Sequence, residues 1–251
     1  MTLISVFLLS LIALANAGLV PRIIGGTVAK SGEIPYQVSL QQTTQRSNFC
    51  GGSILNTRYV ITAAHCVKGK TPETVLVVAG TVDLLKKGSE HNCEKFYMHE
   101  KYNSTDSWIN DIALIKVKTP FVKSALVSFV PLPNAQQVVK TNATAIVSGF
   151  GRLAYAGNRT NLLYWVDIQI ADQTYCKQAY RGMENIYPTH VCAYDPTAVR
   201  GHCKGDSGGP LMVNGTLTGI VSWSFNCANV IYPSVYTRVS AYVDWIKKHA
   251  V

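Results

Sequence analysis

Three short segments of the 251-residue sequence carry side chains able to move a proton and form a covalent bond. T-A-A-H-C sets His65 beside a cysteine, N-D-I-A-L-I-K-V puts Asp111 ahead of an apolar run, and G-D-S-G-G-P presents Ser207 among glycines. An alcohol is a weak nucleophile until a neutral imidazole takes its proton. The imidazole in turn needs a carboxylate to fix its tautomer and to stabilise the imidazolium. Glycines around Ser207 permit a sharp turn in which the N–H groups of Gly205 and Ser207 converge on a developing oxyanion, and losing one such donor costs about 3 kcal/mol. Taken singly, the same residues read as a core histidine, a helix or turn cap and a turn serine. Taken together, with these flanks, they point to acyl transfer.

Residues so far apart in the chain need a rigid frame to meet. Strand signals dominate: short Val, Ile, Thr and aromatic runs at V-L-V-V (75 to 78), I-A-L-I-K-V (112 to 117), T-A-I-V-S (144 to 148) and G-I-V-S-W (219 to 223) are separated by Gly, Pro and Asn. In L-L-Y-W-V-D-I-Q-I (162 to 170), Leu162, Tyr164, Val166, Ile168 and Ile170 share one face while Asp167 and Gln169 take the other, which predicts a half-buried strand. A helical period is convincing only at the end, where Ser240 is placed to cap a segment with Tyr242, Val243 and Ile246 on one stripe and Lys247 and Lys248 outside. An all-β chain of this length, with 47% apolar residues, suggests barrels or sandwiches. There is no internal repeat, low-complexity tract or long linker.

Residues 1–17 form an apolar run too short to span a bilayer, with Ala15 and Ala17 placed as a signal peptidase prefers, so a signal peptide and export without a membrane anchor are expected. In an oxidising compartment seven cysteines read as disulfides with one left over, and spacing alone does not give the pairing. Four glycosylation sequons, at Asn103, Asn142, Asn158 and Asn214, suit a secreted surface. The formal charge of +9 is scattered, without a run of five or more basic residues and without a nucleic-acid motif, so a nucleic-acid partner is not expected.

On T-A-A-H-C, D-I-A-L and G-D-S-G-G-P, the chain resembles the chymotrypsin-like serine peptidases over everything after residue 22, and within them arthropod digestive peptidases and mite group 3 allergens. The resemblance implies a secreted serine endopeptidase of protein substrates, with His65, Asp111 and Ser207 as its triad and Gly205 and Ser207 as its oxyanion donors. It implies two six-stranded antiparallel β-barrels (about 23 to 130 and 131 to 238) and a C-terminal helix (about 240 to 249). The implied disulfides are Cys50 with Cys66, Cys176 with Cys192 and Cys203 with Cys227, leaving Cys93, for which an inert thiol is favoured over a functional or intermolecular one. A propeptide, residues 18–22, would end at Arg22, so that an activating peptidase frees the Ile23 amine to pair with Asp206. Protein inhibitors are further partners of such a family, and a monomer is expected. No cofactor or metal is expected, because one usual glutamate of the family's calcium loop falls near Thr81.

In trypsin-like members an aspartate sits six residues before the nucleophile, where it pairs with Arg or Lys; here that position is Gly201. Two wall positions that are glycine in deep pockets are Ser224 and Ser234, while Ser222 and Trp223 match the segment that supports the aspartate and binds extended substrate. Desolvating an arginine without a counter-ion costs several kcal/mol, so small uncharged residues are expected before the cut bond. His202 with Ser224 offers an alternative, reception of an acidic side chain, which Lys204 at the rim would favour. Two other readings stay open: a catalytically weak or inactive relative acting as a binding or inhibitory protein, and trypsin-like cleavage with a distant acid replacing the one missing at Gly201.

Overall fold

A computed structural model describes residues 23–251; the expected signal peptide and propeptide, 1–17 and 18–22, lie outside the described residues. Within them the chain is built mostly of strands, beginning with a short one, β1 (Thr27–Val28).

The first barrel contains β2 (Gln37–Gln42), β3 (Asn48–Ile54), β4 (Tyr59–Thr62), β5 (Val75–Ala79), β6 (Ser89–Met98) and β7 (Ala113–Val117). These close in the order β2-β3-β4-β7-β6-β5, all neighbours antiparallel. Closure removes both sheet edges, and β5, read above as V-L-V-V, is buried along its whole length. Between β4 and β5 lies a one-turn helix, α1 (Ala64–Val67), which carries His65.

The second barrel uses β8 (Thr144–Gly149), β9 (Tyr164–Ile170), β10 (His190–Tyr194), β11 (Pro210–Val213), β12 (Thr216–Trp223) and β13 (Ser234–Arg238). Its order is β9-β10-β13-β12-β11-β8, and β8 pairs back to β9 to complete the ring. In β9 the alternation holds: Tyr164, Val166, Ile168 and Ile170 are buried while Asp167 and Gln169 are exposed. Full burial of each aliphatic side chain of this kind stabilises by about 1.5–3 kcal/mol. β1 also joins this barrel, with Thr27 opposite Trp165 and Val28 opposite Tyr164. The start of the described chain is thereby carried across to the second barrel, where Ile23 lies wholly inside the core.

Helix α2 (Gln173–Ala179) is capped by Asp172, whose carboxylate accepts from the Tyr175 amide at 2.9 Å. The final helix, α3 (Val243–His249), buries Val243 and Ile246 and exposes Lys247 and Lys248, as its stripe predicts. Ser240 does not cap it. The N-cap is Tyr242, a 3-10 turn (Val239–Ala241) precedes the helix, and the Ser240 hydroxyl donates instead to the Gln137 carbonyl at 2.8 Å. That bond ties the turn to the segment linking the barrels, while Tyr242 and Ile246 return to the first barrel's core.

All three disulfides form as the resemblance implies: Cys50–Cys66, Cys176–Cys192 and Cys203–Cys227. Each such bridge typically contributes about 2–4 kcal/mol. Cys93 is free and buried on β6, and burial together with the nearby Glu73 charge pushes its thiol up to about 12, which favours the protonated form. All four sequon asparagines are exposed.

Candidate active site

The three sequence segments arrive at the seam between the barrels. Asp111, just before β7, is wholly buried yet fully partnered. Its Oδ2 accepts from His65 Nδ1 at 2.7 Å and from the Ser222 hydroxyl at 2.6 Å, and its Oδ1 accepts from the His65 amide at 2.9 Å. Thr237 of β13 donates to the Asp111 carbonyl at 2.7 Å, so both barrels hold this residue. With Nδ1 of His65 donating to a carboxylate, Nε2 is left as the basic nitrogen of the ring. Burial opposes a charge on His65, but the Asp111 carboxylate, through its charge and its hydrogen bond, prevails and lifts the pKa above the usual 6.5. The sulfurs of Cys50 and Cys66 lie next to this imidazole but are bonded to each other, which removes them as metal ligands.

Ser207 sits half-buried in the loop between β10 and β11. Its carbonyl accepts from the Gly51 amide at 2.7 Å, which ties the loop to β3 of the first barrel. Gly208 (φ +77°) is needed on two counts: its backbone is left-handed, and a Cβ there would run into the Thr62 hydroxyl and lie 2.6 Å from the Gly51 carbonyl. Thr62 ends β4, two residues before α1, so this close approach also brings the nucleophile loop against the segment bearing His65. Gly205 (φ +102°) makes the other turn. The amides of Gly205 and Ser207 donate to no acceptor among the described residues, as an oxyanion site requires.

Asp206, in the same loop, is wholly buried, with Gly151 N donating to Oδ1 at 2.7 Å and Cys203 N to Oδ2 at 2.9 Å. Burial outweighs both donors and raises its pKa to about 7. Ile24 bridges to Gly201, which brings Ile23 to the same end of the second barrel as the loop. Asn48, missed in the sequence, braces the loop from the first barrel: its amide donates to the Gly205 carbonyl at 3.1 Å while its oxygen accepts from Ser39 at 2.7 Å. A single polar residue opening a strand carries no pattern that would reveal this.

Beside Ser207 opens a cavity of about 280 Å³ whose lining includes Trp108, Tyr155, His202, Lys204, Ser222, Trp223 and Ser224. Among the described residues, no Asp or Glu lines it. Gly201 and Ser234 are not among its lining residues, whereas His202 is. His202 is 4% exposed, its Nδ1 lies 3.0 Å from the Tyr236 hydroxyl, and burial lowers its pKa to about 4, so at neutral pH it bears no charge. The Ser224 hydroxyl turns back to the Asn226 carbonyl at 2.5 Å. Lys204 is exposed, with its ammonium 5.1 Å from the centre of the Tyr155 ring. Trp108 packs 5.8 Å from Trp223, which is also held edge-on by Tyr180 at 4.9 Å. A tryptophan stranded in the polar loop S-T-D-S-W was the available signal for Trp108. At Thr81, the hydroxyl donates to the Asp83 carbonyl at 2.8 Å.

Comparison with known proteins matches the family described as trypsin over residues 23–246. The chain is 39% identical over 241 residues to trypsin-1 of Astacus astacus, covering 91% of this chain and 100% of that protein. It is 40% identical over 227 residues to chymotrypsin-2 of Vespa crabro, covering 90% and 99%, and 38% identical over 230 residues to anionic trypsin of Canis lupus familiaris, covering 90% and 88%.

Proposed function

Because the chain belongs to the trypsin family and is a hydrolase that acts as a serine protease, we propose that it is an endopeptidase secreted as a zymogen, cutting proteins after small uncharged residues through an acyl-enzyme. The observation that carries the mechanism is the buried Asp111 carboxylate bound at once to His65 Nδ1 and Ser222. It holds the imidazole in the tautomer whose Nε2 takes the Ser207 proton as the hydroxyl oxygen attacks the peptide carbonyl. The carbonyl oxygen, now negative, is received by the Gly205 and Ser207 amides. His65 passes its proton to the leaving amine, the C–N bond breaks, and Ser207 is left acylated. Water then repeats the sequence with His65 as base, releasing the acid and restoring the hydroxyl.

The names of the relatives divide between trypsins and chymotrypsins, so preference is argued from the pocket. A lining without a carboxylate, floored by a neutral imidazole, gives an arginine or lysine nothing to offset its desolvation. The Ser224 side chain on the wall supports a short occupant. A peptide series differing only in the residue before the cut tests this: turnover is expected to be fastest with short uncharged residues, and fastest turnover with Arg or Lys would overturn it.

Activation rests on Asp206. Cutting after Arg22 would free the Ile23 amine, a cation able to balance a carboxylate that otherwise stands buried without one, and so to hold the oxyanion loop. While the chain is uncut, a folded pKa of about 7 against an unfolded value near 3.8 favours the neutral acid. The stability from this group is therefore fully present below about pH 3.8 and is lost as pH rises through 7, a total of roughly 4 kcal/mol. Denaturant titrations of the uncut chain at pH 4 and pH 8 should show this loss, and Asp206→Asn should remove it. An unchanged slope in the variant would contradict the assignment. Residues 1–17 support secretion.

A further inference from the structure

We infer that His202 makes the pocket floor a neutral hydrogen-bond donor, so that among uncharged residues of equal size the enzyme selects side chains carrying an acceptor, the short amide Asn above all, over apolar side chains of the same shape. This rests on the peptidase reading above and refines what that site accepts. The Tyr236 hydroxyl lies 3.0 Å from His202 Nδ1. Burial, reinforced by the charge of Asp206, raises the Tyr236 pKa, so the phenol keeps its proton. A buried phenol needs an acceptor for that proton, and Nδ1 is the acceptor that stands beside it, so the proton points at Nδ1. A neutral imidazole that accepts at Nδ1 carries its hydrogen on Nε2.

Nε2 has no partner among the described residues and is not one of the sealed, unsatisfied polar atoms of the molecule, so it opens on the cavity that His202 lines. The rest of the imidazole is fixed: it is 4% exposed and stands edge-on to Tyr236 with ring centres 5.2 Å apart. A buried donor held this rigidly is unsatisfied when an apolar side chain fills the pocket and displaces water, and satisfied when an amide or hydroxyl oxygen arrives. The nearest formal cation on the pocket lining, Lys204, is exposed at the rim and does not turn the floor into an anion site.

The test compares kcat/KM for peptides identical except before the cut, in the pairs Asn against Leu, Gln against Met and Thr against Val, with Glu, Arg and Lys alongside. It uses chain cleaved after Arg22 and titrated with a fluorophosphonate to count working Ser207. The acceptor-bearing member is expected to be favoured by about tenfold in each pair. His202→Leu is expected to abolish that ratio, and His202→Gln, which retains an N–H donor, to restore part of it. Tyr236→Phe, which frees Nδ1, should narrow the ratio without adding volume. Equal turnover within the pairs, with Ser207 fully labelled, would overturn the inference and leave the peptidase reading standing. Fastest turnover with Glu would overturn it in favour of a charged floor, and fastest turnover with Arg or Lys would overturn both it and the uncharged preference. Absent turnover together with absent labelling would defeat the peptidase reading itself.

Discussion

Replacing Ser207 by alanine is expected to lower kcat by about six orders of magnitude, on the scale seen when a triad nucleophile is removed from a serine peptidase. The hydroxyl oxygen is the atom that bonds to the substrate carbon, so without it the covalent path closes and only oxyanion binding and substrate placement remain. Folding should be nearly untouched. The backbone bonds that shape the loop, Gly51 to Ser207 and Gly208 to Val221, use main-chain atoms, and no partner holds the Ser207 hydroxyl among the described residues. Paired measurements of kcat and Tm check this. A variant that keeps appreciable turnover would place the nucleophile elsewhere, and one that unfolds would mean that the hydroxyl is structural.

Asp111→Asn is expected to cost about four orders of magnitude in kcat, the size this exchange carries in the trypsin family itself. The carboxylate accepts from three donors at once: His65 Nδ1, the His65 amide and Ser222. A carboxamide has only one accepting atom and must turn an NH₂ toward one side. Facing His65, it forces Nδ1 to accept and puts the hydrogen on Nε2, which then cannot take the Ser207 proton. The pH profile gives the second readout. His65 must be neutral to act as base, so activity rises with pH as it deprotonates. Since Asp111 lifts its pKa, the rising limb of kcat/KM should lie above 6.5 in the parent enzyme. Without the anion, burial alone remains and depresses the pKa, so the limb should move to lower pH in the variant. A limb that stays in place would show that Asp111 does not govern the imidazole.

Much of this architecture was legible because its signals are local. Alternation in residues 162–170 and the unbroken apolar run of β5 announce one-sided and two-sided burial, and His65, Asp111 and Ser207 stand in short flanks whose glycines and small residues the turn geometry demands. What stayed hidden depends on partners far along the chain. The pairing of β1 with β9 crosses between barrels, and nothing in two residues of strand encodes that. Ser240 has the right type and spacing for a cap, but the Gln137 carbonyl, more than a hundred residues away in sequence, takes its hydroxyl. Asn48 and Thr237 brace the site through single long-range hydrogen bonds. The pocket shows the same limit: residue types at Gly201, Ser224 and Ser234 do not say which of them line the cavity, and it is the contact with Tyr236, distant in sequence, that fixes the His202 ring beside it.

Covalent titration tests the central claim most directly. Chain cut after Arg22 is treated with an excess of a fluorophosphonate, and the labelled residue is mapped by mass spectrometry. Attack on phosphorus needs the activated alcohol, the Asp111-oriented imidazole and the Gly205 and Ser207 amides all in place, yet it needs no assumption about substrate. One phosphonyl group per chain, on Ser207 and lost in Asp111→Asn, is the result expected; a cut, folded chain that takes up no label, or carries it on another residue, would contradict the account.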